Sequence, residues 1–394
     1  MKLLPLYLKN KEDRHLKLGH LWVYSNQVDV IRSPLKQYEP GELITVLSHQ
    51  EEVLGVGYVN PHTLLCARLL SRYAEDITVD FFIRRMKQAV AFRERVFAAP
   101  YYRFIYGEGD GLPGLIIDRF ADYYVCEVNT AGMEQLTSLW MEALITVMKP
   151  AGVLLKNNKG SRVLEGLPCY QEVKYGEIPE RIIMTENHVK FHVNLLESQK
   201  TGWYYDQRDN RARLNRYCRD QSVLDVYSYT GSFGLYAASY GAEQVTCIDS
   251  SEPSCRLIEE NAILNNCADR VSVIEADAVL GMKQLLAEGK RFDVVLIDPP
   301  AFIKKRKDIK AGLTKYFQVN GLAVRLVKDG GILVTSSCSM HLLREDLLNI
   351  LKNVALQQKR SLQILEHGYQ GIDHPISPFI PETEYLTTIV ARFI

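Results

Sequence analysis

The sequence predicts a multidomain α/β protein whose C-terminal half is a doubly wound parallel sheet of the nucleotide-binding type. Three observations predict it. An apolar run from Ser222 to Val226 passes through the small-residue turn Ser228-Tyr229-Thr230-Gly231 into a helix, then into a second strand that ends on Asp249. A fully apolar run from Val294 to Ile297 is closed by Asp298-Pro299-Pro300-Ala301-Phe302. The first 72 residues instead carry short apolar runs between turn signals, as a β-rich domain does. In a doubly wound sheet the ligand lies outside the carboxyl ends of the strands, where these polar tips fall.

The stretch from Val223 to Asn266 organises the rest. Its helix is expected to start near Phe233 and stop at Gly241, with the next strand over Gln244 to Ile248. Asp249 follows Asp225 by 24 residues, about where a carboxylate meets ribose hydroxyls. N–H groups at the helix start suit an anionic group such as a carboxylate. The dinucleotide pattern of three glycines is absent. Tyr227 and Tyr229 stand at the early glycine positions, and only Gly231 and Gly234 remain. Pyrophosphate needs close backbone approach, so NAD and FAD are disfavoured. A ligand with one ribose, an adenine and no phosphate fits better, and S-adenosylmethionine is such a ligand. A buried strand–helix–strand unit without a ligand would show the same outline.

Composition narrows the class. A chain of 394 residues divides into two or three domains, and 47% hydrophobic residues supply an ordinary globular core. No apolar run approaches the roughly 18–20 residues of a membrane span. The segment MKLLPLYLKNKEDRH has no long apolar stretch and no small-residue cleavage site, so no secretory signal is expected. The 47 basic and 47 acidic residues cancel, so any nucleic-acid surface must be a local patch. Eight cysteines with no C-x-x-C pair argue against structural zinc, and no metal is expected. They read as reduced cytosolic thiols, mostly small core residues, with Cys338 the exception.

From the N-terminus, strands are expected at Trp22 to Tyr24, Leu43 to Leu47, Val53 to Val59 and Leu64 to Leu70. Lys17, His20 and Trp22 lie in a basic stretch beside an aromatic, a combination that holds phosphate and stacks a base. A solvated first helix accounts for it equally. Residues 73 to 185 read as α+β. Asp80 to Ala99 is a helix whose Arg84, Arg85, Lys87, Arg93 and Arg95 form a solvated face or an RNA contact. Strands at Leu115 to Ile117, Tyr123 to Val128 and Gly152 to Lys156 enclose a helix from Met133 to Met148. Asp110 and Asp118 read as structural turn carboxylates.

The remainder holds the chemistry. After a strand from His188 to Leu195, the run from Glu197 to Arg208 packs aromatics, amides and charges densely, as a lid over a small polar ligand would. Arg208, Arg211, Arg213, Arg216 and Arg219 follow on a helix and could meet RNA phosphates. A third strand, Val271 to Glu275, ends at Asp277-Ala278, where Asp277 could accept from an adenine amino group. Phe302 offers a flat platform for a base, and Lys304, Lys305, Arg306, Lys307 and Lys310 form a basic loop beside it. A fifth strand, Gly331 to Thr335, leads into Ser337-Cys338-Ser339. Leu362 to Leu365 and Leu386 to Phe393 are expected to close the sheet as an antiparallel pair.

Several of these motifs occur together in one family. Lys200-Thr201-Gly202 with Tyr204, Asp206, Gln207 and Arg208, then Ser228-Tyr229-Thr230-Gly231 with Phe233, Asp298-Pro299-Pro300 with Phe302, Ser337-Cys338-Ser339 and Asp373-His374-Pro375 recur in this order. They follow GEGDGLPG and Gly19-His20-Leu21-Trp22-Val23-Tyr24. Almost the whole chain resembles the ribosomal RNA large-subunit methyltransferase I family, which makes 5-methylcytosine in 23S rRNA. The resemblance implies a PUA RNA-binding domain over 1–72, a small α+β domain over 73–185 and a Rossmann-fold methyltransferase domain over 186–394. It implies a cytoplasmic enzyme, commonly a homodimer, with S-adenosylmethionine as cofactor and ribosomal RNA as partner.

Cys338 is then the nucleophile and Asp298 the group that holds the cytosine edge. The residues expected at the cofactor are Gln199, Lys200, Tyr204, Asp206, Arg208, Asp225, Ser228, Tyr229, Thr230, Gly231, Phe233, Asp249, Ser250, Asp277, Ala278, Asp298 and Pro299. Those expected at RNA are Lys17, His20, Trp22, Arg211, Phe302, Lys304, Lys305 and Arg306. Ala301 stands where relatives often have lysine, and Asn157-Asn158 replaces a more acidic pair. Both bear on which nucleotide is modified. Alternative readings are uridine-C5 methylation, purine N-methylation through the Asp298 corner, and an inactive RNA-binding protein on the same fold.

Overall fold

The computed structural model describes residues 3–158, 160–198 and 200–394. The chain forms two compact units, each built from separate segments. The first comprises Met1–Ile182, Asn194–Trp203 and Asp373–Thr383; the second comprises Ile183–Val193, Tyr204–Ile372 and Glu384–Ile394.

The first unit opens with β1 (Leu4–Tyr7), α1 (Arg14–Lys17), β2 (Trp22–Tyr24), β3 (Glu42–Leu47), β4 (Val53–Val59) and β5 (Leu65–Ser71). These strands form one sheet in the order β1-β3-β4-β5-β2. Alternation along β3 buries Ile44 and Val46, which join Leu6, Leu8, Val23, Val59 and Leu69 in a small core. A second sheet has the order β10-β9-β8-β7-β6, from β6 (Tyr101–Tyr106), β7 (Leu115–Phe120), β8 (Tyr123–Val128), β9 (Gly152–Asn157) and β10 (Tyr170–Gly176). Helices α2 (Val79–Val96), α3 (Ala131–Gln135) and α4 (Thr137–Met148) pack on it, and α5 (Ser161–Leu164) follows β9. The strands β1, β6 and β10 escape a reading of the sequence. Tyr170–Gly176, for example, is exposed along nearly its whole length and so has no apolar alternation to detect.

Helix α2 presents Phe81, Phe82, Met86 and Ala89 to this core, and Arg93 is buried with them. That corrects the reading of Arg93 as part of a solvated or RNA-facing surface. Its guanidinium forms two 2.6 Å bonds to the Asp110 carboxylate and donates to the Asp373 carbonyl at 3.0 Å. Arg103 forks onto Asp118 at 2.6 and 2.9 Å. Both aspartates are structural: Asp110 ends a turn as expected, whereas Asp118 lies within β7 rather than in a turn. Buried Lys156, at the end of β9, donates to the carbonyls of Leu195 and Ser198 and to Ser198 Oγ, tethering the Asn194–Trp203 segment. Burial pushes its ammonium down to about 8.

The second unit begins with β11 (Ile182–Glu186), which pairs with β12 (Val189–Val193). Helix α6 (Arg208–Arg213) leads to a seven-stranded sheet of β13 (Ser222–Val226), β14 (Gln244–Asp249), β15 (Val271–Glu275), β16 (Phe292–Ile297), β17 (Val327–Ser337), β18 (Leu362–Gly368) and β19 (Thr387–Phe393). Its order is β15-β14-β13-β16-β17-β19-β18. The first five strands run parallel, while β19 is antiparallel to both of its neighbours. The helices are α7 (Ser232–Ser239), α8 (Glu252–Leu264), α9 (Ala278–Ala287), α10 (Ile309–Leu326) and α11 (Arg344–Gln358). Val295, Ile297 and Leu333, from two of these apolar strands, lie in a core that α9, α10 and α11 help to close. Strand order reverses between β13 and β16, which opens a crevice at their carboxyl ends.

Candidate active site

The turn after β13 is held by its own hydroxyls and by the neighbouring strand. Ser228 Oγ donates to the Asp225 carbonyl at 2.7 Å and accepts from the Ile248 amide at 3.1 Å. The amides of Tyr227 and Ser228 both donate to the Ile248 carbonyl. Tyr227 and Tyr229 adopt φ of 66° and 51°, the left-handed region that favours glycine. Such strain costs of the order of 1–3 kcal/mol per residue and persists only when the surroundings over-determine it. Here Asp249 supplies part of that constraint: its Oδ2 accepts from the Tyr229 amide at 2.8 Å and its Oδ1 from the Ser251 amide at 3.0 Å. The Tyr229 ring meets Tyr204 edge-on at 5.5 Å.

Helix α7 begins against the sheet because Gly234 has no side chain. A β-carbon there would lie 2.7 Å from Cys247 Sγ. Its amide instead donates to buried Asp225 Oδ2 at 2.9 Å. Burial raises the Asp225 carboxyl to about 7, and the Asp298 and Asp249 carboxylates add to the effect. Thr230 Oγ1 is buried on this turn and makes no hydrogen bond among the described residues. A polar ligand group would satisfy it, and Asp249 and Asp277 tip the next two strands. Asp277 caps α9 through Oδ1, which accepts from the amides of Val279 and Leu280. This donor and acceptor set suits an aminoacyl group and a ribosyl adenine.

Asp298 accepts from Gln207 Nε2 at 2.9 Å, and Gln207 Oε1 accepts from Asn210 Nδ2 at 2.7 Å. Gln207 stands in the sequence motif with Asp206 and Arg208, but the sequence reading gave it no role at the site. Asp206 accepts from the Tyr385 hydroxyl at 2.6 Å. The Tyr204 phenol is raised by burial and then by Asp206, Asp298, Cys338 and Asp249, so these groups converge on it electrostatically. Pro299, Phe233 and Ala278 are buried, and Ser250 is exposed. Lys200 is exposed within the first unit, and Gln199 lies outside the described residues.

Arg211 is corrected. It is fully buried and bonds Glu186 at 2.7 Å, while donating to the Tyr204 carbonyl, so it cannot meet a phosphate. Its neighbour Arg208 pairs with Glu186 at 3.1 Å, and Arg213 and Arg216 both pair with Glu366. Helix α6 ends at Arg213, so the arginines do not share one helix: Arg216 lies on the turn that follows, and Arg219 is exposed beyond it. Sequence spacing alone does not distinguish a basic face from one whose acids arrive from distant strands.

Cys338 follows β17, flanked by Ser337 and Ser339, and is half-buried. Six other cysteines are buried, and Cys169 is exposed. Burial pushes the Cys66 and Cys218 thiols up to about 12 and Cys255 to about 11. The Ile303 amide donates to Ser339 Oγ at 3.3 Å, which ties the Cys338 turn to the corner after β16. Phe302 is half-buried there, with its ring 4.8 Å from Tyr316 and Lys315 Nζ 5.8 Å above it. Lys304, Lys305, Arg306 and Lys307 are exposed in sequence beside it. Among the described residues no group of three or more His, Cys, Asp or Glu side chains is arranged to hold a metal ion, and no helix is long and apolar enough to cross a membrane.

In the first unit, Trp22 donates its indole N–H to Glu108 at 3.0 Å, and its amide donates to His20 Nδ1 at 3.0 Å. Burial and then His15 hold the His20 imidazole below its ordinary value, so it offers little positive charge at neutral pH. Lys17 is shared between Asp13 and Glu52. Lys17 and His20 are therefore weaker phosphate contacts than their sequence setting suggests, and Trp22 has its indole N–H engaged.

The strand order and the acids at successive strand tips define an S-adenosylmethionine-dependent methyltransferase fold of the Rossmann type. Two solved structures share it across the chain. One is a methyltransferase complexed with SAH, with TM-score 0.84 and 19% identity over 100% of both chains. The other is described as a SAM-dependent methyltransferase from Streptococcus mutans, with TM-score 0.82 and 19% identity over 99% of this chain and 100% of that one. Family models match a PUA-like domain at residues 6–72 and Conserved hypothetical protein 95 at residues 212–362. Ribosomal RNA large subunit methyltransferase I of Shewanella denitrificans is 37% identical over 98% of each chain, and that of Vibrio cholerae is 34% identical over 99% of each. The chain belongs to the ribosomal RNA large subunit methyltransferase I family.

Proposed function

We propose that this protein is an S-adenosylmethionine-dependent methyltransferase that forms 5-methylcytosine in large-subunit ribosomal RNA. The observation that carries the reading is Cys338 on a polar turn bonded to the corner that bears Asp298 and Phe302. Carbon 5 of cytosine is too weak a nucleophile to take a methyl group unaided. The Cys338 thiolate adds to carbon 6, forming a carbon–sulfur bond and making carbon 5 enamine-like. Asp298, oriented by Gln207, holds the edge of the ring. S-adenosylmethionine supplies the electrophilic methyl group. Loss of the carbon-5 proton to a base then restores the double bond and expels Cys338. Extrusion of a stacked cytosine costs a few kcal/mol, and Phe302 offers a replacement stacking surface.

For the cofactor we assign Asp249 to the ribose hydroxyls, Asp277 to the adenine amino group and the Ser228–Gly231 turn to the methionine part. For RNA we assign the PUA-like domain and the loop from Lys304 to Lys307. The family resemblance also supports a homodimer, which light scattering on the eluted protein measures directly. Trapping tests the thiol. RNA carrying 5-fluorocytosine cannot lose its carbon-5 substituent, so wild-type protein should remain covalently attached after methyl transfer. Cys338→Ala should form no adduct and lose methylation. An adduct on another cysteine, or methylation at the wild-type rate, would overturn the assignment.

A further inference from the structure

We propose that Tyr316 is a positioning residue that sets Cys338 and the Phe302 platform in register for cytosine methylation. The inference rests on the thiol reading above. Tyr316 lies in the middle of α10 and is fully buried. Its phenol oxygen accepts from Ser337 Oγ at 2.8 Å and lies 2.8 Å from Ser339 Oγ. Either oxygen can be the donor in the bond to Ser339. The two hydroxyls that bracket Cys338 are therefore joined through one oxygen on another element.

The network continues on both sides. The Ser339 amide donates to Ser337 Oγ at 3.2 Å, which closes the turn around Cys338. Ser339 Oγ also accepts from the Ile303 amide at 3.3 Å, the residue after Phe302. The Tyr316 ring packs against Phe302 at 4.8 Å. Helix α10 can seat this closely because Gly312 faces Ile303, where a β-carbon would lie 2.2 Å from Cγ1. A half-buried thiol on a free turn would sample several rotamers. One hub that binds both flanking serines, and packs on the base platform, limits the thiol and carbon 6 to one relative placement. Misplacement by about 1 Å costs around a hundredfold in rate, which is the scale such a hub controls.

The test is Tyr316→Phe, which keeps the ring and removes only the shared oxygen. Single-turnover methyl transfer to ribosomal RNA should slow roughly ten- to hundredfold, while S-adenosylmethionine affinity by calorimetry stays within about twofold. Alkylation of Cys338 by iodoacetamide should change at least about fivefold relative to exposed Cys169 in the same molecule, a readout that simple loss of stability would not move. Ser339→Ala removes the same link from the other side and serves if Tyr316→Phe does not fold. The double variant should be no slower than the slower single one, as expected for a shared interaction. Folded Tyr316→Phe with wild-type transfer rate and unchanged Cys338 alkylation would overturn the role. Failure of the thiol reading shows in a different protein: Cys338→Ala at wild-type rate, which removes the role of Tyr316 with it.

Discussion

Single residues in this site carry two duties at once, and Asp249 shows it best. Its carboxylate holds the strained Tyr229 amide and is our choice for the ribose. Loss of a charge-assisted hydrogen bond costs about 1.5–3 kcal/mol, so Asp249→Ala should weaken S-adenosylmethionine binding roughly ten- to hundredfold. Calorimetry on the folded variant checks this, and unchanged affinity would refute the placement. Asp225 gives a prediction in pH. Its carboxyl is raised to about 7 in the folded chain, against an ordinary value of 3.8. The folded state thus holds the proton more tightly than the unfolded one. The resulting stability is complete at pH below about 4 and is lost as pH rises through 7, by about 4 kcal/mol. Asp225→Asn keeps an acceptor for the Gly234 amide and removes the titration. Urea unfolding should show the variant gaining on wild type between pH 4 and 8, with no further gain above it.

At the scale of elements, the basic residues divide into two kinds. Those on α6, Arg208, Arg211 and Arg213, are paired with Glu186 and Glu366. Those between β16 and α10 are exposed one after another. RNA affinity should therefore depend on the second set. Replacing Lys304, Lys305, Arg306 and Lys307 with alanine should weaken RNA binding and flatten its salt dependence, with the slope falling by about 0.7 per lost single-strand phosphate contact. Cofactor affinity should stay unchanged. Filter binding across a salt series measures both, and an unaltered slope would remove the loop from the RNA surface.

For the whole molecule, the chain does not complete one unit before starting the next. Asp373–Thr383 leaves the region between β18 and β19 and belongs to the first unit. There Asp373 accepts from the Arg103 amide at 2.8 Å and from His374 Nδ1–H at 2.8 Å, while its carbonyl accepts from buried Arg93. Asp373→Ala leaves the Arg103 amide without its acceptor, at a cost of about 1–3 kcal/mol. Denaturant unfolding should report that loss. Hydrogen exchange should rise in the β6 peptide that contains Arg103 and remain unchanged in β13 to β17. A local effect of this kind would show that the returning segment is part of the first unit's stability.

The sequence by itself determined the parallel strands of the second unit and their tips. Period and punctuation are local properties, so Ser222–Val226, Val271–Glu275 and the apolar run ending at Ile297 were legible, as were Asp249, Asp277, Asp298 and Cys338 at their ends. The turn with tyrosines at its early glycine positions was legible too, but their left-handed backbone was not, because φ depends on what the rest of the fold holds in place. Only the tertiary structure decided how charges pair. Arg93 and Arg211 look like surface cations until Asp110 and Glu186 arrive from elsewhere in the chain. It also decided what supports the site. Gln207 meets Asp298 across 91 positions and Tyr316 meets Ser337 across 21, and no local pattern records such pairings. A side chain's chemical type is written in the sequence, whereas its burial and partners are set by segments distant along the chain. Those two properties govern its charge, its strain and its role.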